Sequence, residues 1–150
     1  MKEVTGNIWY YKSDYICLTT NGSHNRQGLA VMGRGVALQA KQRVPGIDKK
    51  LGLILYELGN HVCFIDNKYL AYPVKYHWYE KADINLILRS ANELAMIAGL
   101  HKESTFVLAA PGTSNGHLSY EEVRKVIIKA LPNNVHLISN DPNVIKYMEI

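Results

Sequence analysis

The feature that most constrains the fold is a pair of closely spaced glycines between an apolar strand and a helix. Residues 15–20 have the apolar, β-branched character of a strand, and a loop rich in Asn and Gly follows them. Gly33 and Gly35 then precede an apolar helical run from Val36. A helix N-terminus carries unpaired N–H groups and a partial positive charge, and glycine lets an anion approach the backbone. The segment predicts a phosphate site or, equally, a glycine-rich helix start without a ligand.

Neither standard phosphate-binding motif is present in this segment. The third glycine of the dinucleotide motif GxGxxG is missing, and no Gly-Lys-Ser/Thr follows as in a P-loop. A second glycine-rich loop occupies residues 111–117, after another apolar strand. The nature of a ligand therefore depends on where the fold brings the two loops.

Composition predicts a single globular domain that works inside the cell. The chain has 150 residues, and its net charge of +4 comes from scattered Lys and Arg rather than a basic run typical of nucleic-acid binding. Cys17 and Cys63 lie in apolar runs, which indicates buried thiols, and no metal-binding spacing of Cys and His occurs. The chain shows no signal-peptide pattern and no apolar run of membrane-spanning length. We expect a cytoplasmic protein without a membrane span.

The order of periodic segments predicts an α/β fold. Strands are predicted at residues 4–12, 15–20, 61–66, 69–74, 105–110 and 135–139. Helices are predicted at residues 33–44, 48–58 and 83–100. A fourth helix begins at a capping box formed by Ser119 and Glu122 and ends at Pro132, and a short fifth helix begins at residue 141. This alternation predicts a three-layer α/β/α sandwich with a mixed, mostly parallel central sheet. Ligands of such sheets bind at the carboxyl ends of the strands, where both glycine loops lie. Two facing anion-binding loops suggest a diphosphate.

Four segments in sequence order carry a family resemblance. They are Gly6-Asn7-Ile8, the run VMGRGVALQ at residues 31–39, YPVKYHW at 72–78 and PGTSNGHLSY at 111–120. With these the chain resembles the macrodomains, ADP-ribose-binding modules of α/β/α build. The third and fourth segments are similar to the branch that contains the terminal ADP-ribose protein glycohydrolase and the DNA ADP-ribosyl glycohydrolase antitoxins.

The resemblance implies binding roles along the chain. Asn7 stands where the family has an Asp that binds the adenine amino group, although a turn residue is an equal alternative. Asn21, with Asn25 as a second candidate, would contact the distal ribose. The diphosphate would lie against two segments: Met32, Gly33, Arg34, Gly35 and Val36, and Gly112, Thr113, Ser114, Asn115, Gly116 and His117. The resemblance implies no cofactor and no metal.

Lys75 is the residue on which catalysis depends. The resemblance implies that its amine attacks, or acts as base at, the anomeric carbon of the distal ribose, with His77 as a second catalytic candidate. This requires burial or nearby cations to lower the lysine pKa. The alternative is a solvated lysine that only attracts phosphate. Gly116 stands where protein-acting members carry an Asp, which points away from a carboxyl-linked protein acceptor.

The leading hypothesis is therefore an ADP-ribosyl glycohydrolase that acts on a nucleobase or protein acceptor, including ADP-ribosylated nucleic acid, as a monomer. One alternative is an ADP-ribose 1″-phosphate phosphatase that uses His24 or His117. Another is a non-catalytic protein that binds or sequesters ADP-ribose-type nucleotides. Under each hypothesis, we expect Glu in place of Gly33 or Gly116 to abolish binding and leave the fold intact.

Overall fold

A computed structural model describes residues 1–150 and contains one six-stranded sheet and five helices. The strands are β1 (Lys2–Thr5), β2 (Tyr15–Asn21), β3 (Cys63–Phe64), β4 (Tyr69–Lys75), β5 (Phe106–Ala109) and β6 (Val135–Ser139). The helices are α1 (Gly35–Arg43), α2 (Ile47–Leu58), α3 (Ile84–Leu100), α4 (Tyr120–Ile127) and α5 (Pro142–Ile145).

The sheet is mixed and mostly parallel, as the sequence predicts. Its strand order is β1-β6-β5-β2-β4-β3, and every neighbouring pair is parallel except β3 with β4. One apolar cluster joins the sheet to α3 and α4, and a second joins it to α1 and α2. Helices therefore cover both faces of the sheet, which confirms the three-layer α/β/α architecture.

Local sequence explains where the helices begin. The Asp83 carboxylate accepts hydrogen bonds from the N–H groups of Asn85 and Leu86, which caps α3. The predicted capping box opens α4, where the N–H of Ser119 donates to the Glu122 carboxylate. These caps supply acceptors for N–H groups that have no partner inside the helix.

The predicted first strand, residues 4–12, is wrong beyond its beginning. The strand β1 ends at Thr5, and Gly6 follows with a φ of 143°. The carbonyl of Asn7 then accepts hydrogen bonds from the N–H groups of Tyr10 and Tyr11, both at 3.1 Å. Apolar and aromatic residues in this segment suggest a strand, but the local turn at Asn7 satisfies the backbone instead.

The hairpin around residues 67–68 is confirmed, although β3 is shorter than the predicted strand at 61–66. The Asp66 carboxylate accepts from the N–H groups of Lys68 and Tyr69, both at 2.8 Å, and this bonding forms the turn. The N–H of Val62 donates to the Glu93 carboxylate on α3, so this residue does not pair with β4. The edge strand consequently has only two residues, Cys63–Phe64.

Both cysteines are free thiols in strands. Cys17 lies in β2 and is fully buried, and burial raises the pKa of its thiol. Burial raises the pKa of the Cys63 thiol to about 11, with the nearby Glu93 carboxylate acting in the same direction. A raised pKa disfavours the reactive thiolate at both positions, but only Cys17 is buried as the sequence predicts, since Cys63 is half-buried. None of the five helices combines the length and the apolar character needed to cross a membrane.

Candidate functional site

A cleft of about 660 Å³ lies along the carboxyl ends of five neighbouring strands. Its lining runs from Asn7 after β1, through Ser139 of β6 and Ala110 after β5, to Asn21 of β2 and Lys75 of β4. Neighbouring strands lie about 4.8 Å apart, so the five strands span about 19 Å. We call the Asn7 side the proximal end of the cleft and the Lys75 side its distal end.

The first glycine loop presents an open backbone to the cleft. The N–H groups of Gly35, Val36 and Ala37, at the start of α1, donate to no acceptor within the protein. The preceding residue, Arg34, makes no side-chain capping bond. A Cβ added at Gly33 would meet no atom within 4 Å. The loop therefore offers unpaired donors and free space, as an anion site requires.

The second glycine loop also presents unpaired donors, but its backbone is tightly folded. No acceptor within the protein receives the N–H groups of Ser114, Asn115 or Gly116. The N–H of Leu118 donates to the Gly112 carbonyl at 2.9 Å and closes the loop. The N–H groups of this loop lie at the same edge of the sheet as those of the first loop.

Gly116 corrects one expectation from the sequence. A Cβ at this position would lie 2.5 Å from the Gly112 carbonyl oxygen and 2.6 Å from the Cβ of Ala82. The position is packed against protein atoms rather than open to a ligand. The expectation that Glu at Gly116 leaves the fold intact is therefore wrong, whereas Gly33 has the space that such a substitution needs.

The two loops meet at Gly35 and Asn115. Gly35 has a φ of 58°, and a Cβ there would lie 3.1 Å from the side-chain nitrogen of Asn115. A side chain at Gly35 would thus be strained by its backbone conformation and would press on the second loop. Glycine at this position lets the first loop approach the second closely.

Lys75 lies at the distal end, where β4 finishes. Its Nζ donates to the carbonyl of Asn115 at 3.1 Å and to the carbonyl of Trp78 at 3.5 Å. Burial lowers the pKa of the Lys75 amine, and the positive charge of Arg34 lowers it further. Both conditions that the sequence analysis sets for a reactive lysine are therefore present. A lowered pKa increases the fraction of free amine available as a nucleophile or base.

Three solved structures share this architecture. The macrodomain of Thermus aquaticus DarG is 23% identical, with a TM-score of 0.72, over 94% of this chain and 97% of its own. The macrodomain of Mycobacterium tuberculosis DarG is 20% identical, with a TM-score of 0.74, over 92% of this chain and 95% of its own. Thermosipho africanus DarTG in complex with ADP-ribose is 16% identical, with a TM-score of 0.73, over 92% of this chain and 41% of its own. The protein has the macrodomain fold. No protein-family model and no curated protein matches the chain.

In this macrodomain fold, most of the predicted binding residues line the cleft. They are Asn7, Asn21, Gly33, Arg34, Gly35, Val36, Gly112, Thr113, Ser114, Asn115 and Gly116, together with Lys75. Their contacts with a ligand stay predictions.

Asn21 holds the first loop in place. Its side-chain nitrogen donates to the Val31 carbonyl at 3.0 Å, and its side-chain oxygen accepts from the N–H of Ser23 at 2.9 Å. Asn25 lies outside the cleft, where its side-chain oxygen accepts from the N–H groups of two residues in its own loop. The structure thus gives Asn21, and not Asn25, a place beside the distal end.

Met32, His77 and His117 lie outside the macrodomain cleft. Met32 is buried beneath the first loop. His77 is exposed and stacks on Tyr79, with the ring centroids 5.5 Å apart. His117 lines a neighbouring pocket of about 140 Å³ that shares Lys75 with the cleft. Their predicted roles remain predictions, and His77 would have to act from outside the cleft.

Seven polar or aromatic side chains that line the cleft were not predicted from the sequence. They are Thr19, Thr20, Gln39, Trp78, Ser139, Asn140 and Asp141. The last three follow the end of β6, so the rule for parallel sheets that located the glycine loops also indicates them. Gln39 carries no such signal, because only the packing of α1 brings it to the proximal end. No group of three or more His, Cys, Asp or Glu side chains is placed to hold a metal ion.

Proposed function

We propose that this protein binds ADP-ribose in its cleft and hydrolyses an ADP-ribosyl linkage with Lys75. The observation that carries the proposal is the position of a lysine with a lowered pKa at one end of a cleft bordered by two loops with unpaired N–H groups. The similar structure of Thermosipho africanus DarTG in complex with ADP-ribose supports this ligand class.

The two loops would hold the diphosphate through their backbone. The unpaired N–H groups of Gly35 and Val36 belong to the first loop, those of Ser114 and Asn115 belong to the second, and all four residues line the cleft. Backbone donors at a helix start favour phosphate through hydrogen bonding and through the helix dipole. Arg34 adds a positive charge to the same region of the cleft.

Lys75 would act at the anomeric carbon of the distal ribose. In the free protein the Lys75 amine donates hydrogen bonds to the carbonyls of Asn115 and Trp78, which hold it in place. After loss of a proton to solvent, the nitrogen lone pair can attack the anomeric carbon while the bond from that carbon to the acceptor breaks. The acceptor leaves with the electron pair and takes up a proton, and water then displaces the lysine from the anomeric carbon. Alternatively, the free amine takes a proton from a water molecule that attacks the anomeric carbon and displaces the acceptor in one step. Since His77 lies outside the cleft, the proposal assigns the chemistry to Lys75 alone.

A nucleobase acceptor fits the distal end better than a carboxyl-linked protein acceptor. The second loop has Gly116 where protein-acting macrodomains carry an Asp, so the carboxylate expected for that substrate is missing. The small pocket beside Lys75 shares Arg34 with the cleft and adds Lys81 and His117, and Glu80 is its only acidic side chain. The positive charges of Arg34, Lys75 and Lys81 favour an acceptor within a nucleic acid.

The phosphatase hypothesis keeps one candidate residue. His117 lines the pocket next to Lys75, whereas His24 is exposed in the first loop and lines neither pocket. A phosphatase would therefore use His117. A non-catalytic protein that sequesters ADP-ribose remains the alternative in which Lys75 acts only as a positive charge.

Three substrates assayed in parallel separate these functions. Purified protein is incubated with ADP-ribosylated DNA, ADP-ribosylated protein and ADP-ribose 1″-phosphate, and released ADP-ribose and phosphate are quantified. The proposal predicts ADP-ribose release from DNA. Phosphate release from the third substrate alone would establish the phosphatase, and binding without any turnover would establish the sequestering protein.

Titration calorimetry tests the ligand itself. We expect ADP-ribose to bind at one site with micromolar affinity, or about −8 kcal/mol. AMP should bind more weakly, because a single phosphate contacts only one of the two loops. Absence of both heat and thermal stabilisation with ADP-ribose would contradict the proposal.

A further inference from the structure

The proximal end of the cleft contains two side-chain amides whose oxygens each accept a hydrogen bond from Trp9. The Asn7 Oδ1 accepts the backbone N–H of Trp9 at 2.9 Å, and the Gln39 Oε1 accepts the indole Nε1–H of the same residue at 2.7 Å. Both amide side chains line the cleft, and Trp9 connects them because it donates a hydrogen bond to each.

The orientation of each amide follows from its partner. A backbone N–H and an indole N–H can only donate, so the oxygen of each amide must face Trp9. The NH₂ groups of Asn7 and Gln39 are left without an acceptor inside the protein. Trp9 is itself fixed, because the guanidinium of Arg43 lies 4.7 Å from the centre of its ring.

Two other acceptors at this end each accept one hydrogen bond from the protein. The Ser139 hydroxyl accepts the N–H of Asp141 at 3.0 Å, and one oxygen of the Asp141 carboxylate accepts the N–H of Asn143 at 2.9 Å. The second Asp141 oxygen and the amide of Asn140 are without partners. The two NH₂ groups are thus donors that have no partner in the protein and whose amides are oriented by Trp9.

We infer that Asn7 and Gln39 set the base preference of the cleft and favour a 6-oxopurine over adenine. This inference rests on the proposed function, since it concerns the base of the same nucleotide. On the edge of the base that carries N7, a 6-oxopurine presents two neighbouring acceptors, O6 and N7, whereas adenine presents one acceptor, N7, beside its N6 amino donor. Two NH₂ donors match the first pattern, and one of them is left unpaired by the second.

The test compares two nucleotides that differ only at the 6-position of the base. Titration calorimetry measures the dissociation constants of ADP-ribose and inosine diphosphate ribose for the full chain. The inference predicts that the inosine nucleotide binds at least as tightly as ADP-ribose. If ADP-ribose binds and the inosine nucleotide is about tenfold weaker or worse, the inference fails and the proposed function stands. If neither binds, both fail.

Isosteric variants test the two amides directly. Asn7→Asp and Gln39→Glu keep the oxygen that accepts from Trp9 and replace the free NH₂ by a second oxygen, so the local fold is retained. Each variant should weaken binding of inosine diphosphate ribose relative to ADP-ribose by about tenfold. This is the size of one hydrogen bond that recognises a base. The new carboxylate repels the diphosphate of both nucleotides equally, so this repulsion does not change the ratio of their dissociation constants.

Asn140→Asp is the matched control. It adds the same charge at the same end of the cleft, and its side chain makes no hydrogen bond within the protein. It should weaken the binding of both nucleotides equally and leave the ratio of their dissociation constants unchanged. An equal shift of the ratio in Asn140→Asp and Asn7→Asp would overturn the inference, because charge alone would then explain the preference. Thermal unfolding of each variant confirms that it is folded.

Discussion

The two loops of the cleft are both rich in glycine, but their glycines have different physical causes. In the first loop, Gly33 borders open space, and a side chain there would enter the cleft. In the second loop, Gly116 is surrounded by its own protein, since a Cβ would lie 2.5 Å from the Gly112 carbonyl. The first glycine leaves space for a ligand, and the second lets its loop fold. A glycine-rich motif therefore does not by itself identify the residues next to the ligand.

The loops also act on Lys75 in different ways. The second loop binds the Lys75 amine directly through the carbonyl of Asn115. The first loop contributes the charge of Arg34, which adds to the effect of burial and lowers the pKa of Lys75. One loop therefore places the amine, and the other makes it easier to deprotonate.

Gly33→Glu gives the largest expected effect on binding. The carboxylate would enter the cleft and repel the diphosphate, so ADP-ribose affinity should fall by at least about a hundredfold. The free energy of unfolding should change by no more than about 0.5 kcal/mol, because no atom lies near the new side chain. Calorimetry and chemical denaturation measure the two quantities.

The matched control for that variant is Gly99→Glu, at an exposed helical glycine whose Cβ would also meet no atom. It should bind ADP-ribose normally. Normal binding by Gly33→Glu as well would show that the first loop is not a phosphate site.

Gly116→Ala should give the largest effect on stability. Its methyl group would collide with the Gly112 backbone and Ala82, and such overpacking costs about 3 kcal/mol. For a chain of this size, that corresponds to a fall in Tm of about 6 to 12 °C. Gly33→Ala is the comparison variant and should unfold as the wild type does. Equal stability of the two variants would remove the distinction between the loops.

Asn21→Ala should have an intermediate effect that is confined to the first loop. The substitution removes the hydrogen bonds to Val31 and Ser23, which costs about 1 to 2 kcal/mol of stability. A looser loop positions the distal ribose less well, so turnover should fall more than affinity. Steady-state kinetics and calorimetry on the same preparation show whether the two losses differ. Equal losses would indicate that Asn21 contributes to binding alone.

Arg34→Gln should give the smallest effect, a change in the pH dependence of turnover. Turnover rises with pH as Lys75 loses its proton, and the lowered pKa places this rise below the usual range for lysine. Removal of the Arg34 charge raises the Lys75 pKa, so the rise should move to higher pH. Arg26→Gln, at an exposed arginine outside the cleft, should leave the profile unchanged. A shift to lower pH in Arg34→Gln would contradict the electrostatic role.

Periodicity predicts most elements of this fold, and failures occur where local polar contacts override it. The helices α1, α2 and α3 begin within two residues of their predicted starts, since their apolar stripes determine which face is buried. The strand predicted at 4–12 fails because the turn at Asn7 offers its backbone an alternative set of hydrogen bonds.

The candidate site is predictable from the sequence only in part, for the same physical reason. The glycine loops and Lys75 are predicted because they follow parallel strands and lie in recognisable segments. The packing of Gly116 against Ala82 joins residues 34 positions apart, and no local pattern reports it. Gln39 reaches the cleft only through the packing of its helix. Contacts of this kind depend on the folded chain.

The central claim is that Lys75 performs chemistry rather than attracting phosphate, and Lys75→Ala tests it most directly. The measurement is the rate of ADP-ribose release from ADP-ribosylated DNA together with the dissociation constant for free ADP-ribose, on the same variant. We predict a loss in rate of at least about a hundredfold, as for removal of a general base, with affinity preserved within about twofold. Equal losses in rate and affinity would make Lys75 an electrostatic anchor and contradict the account, as would unchanged turnover.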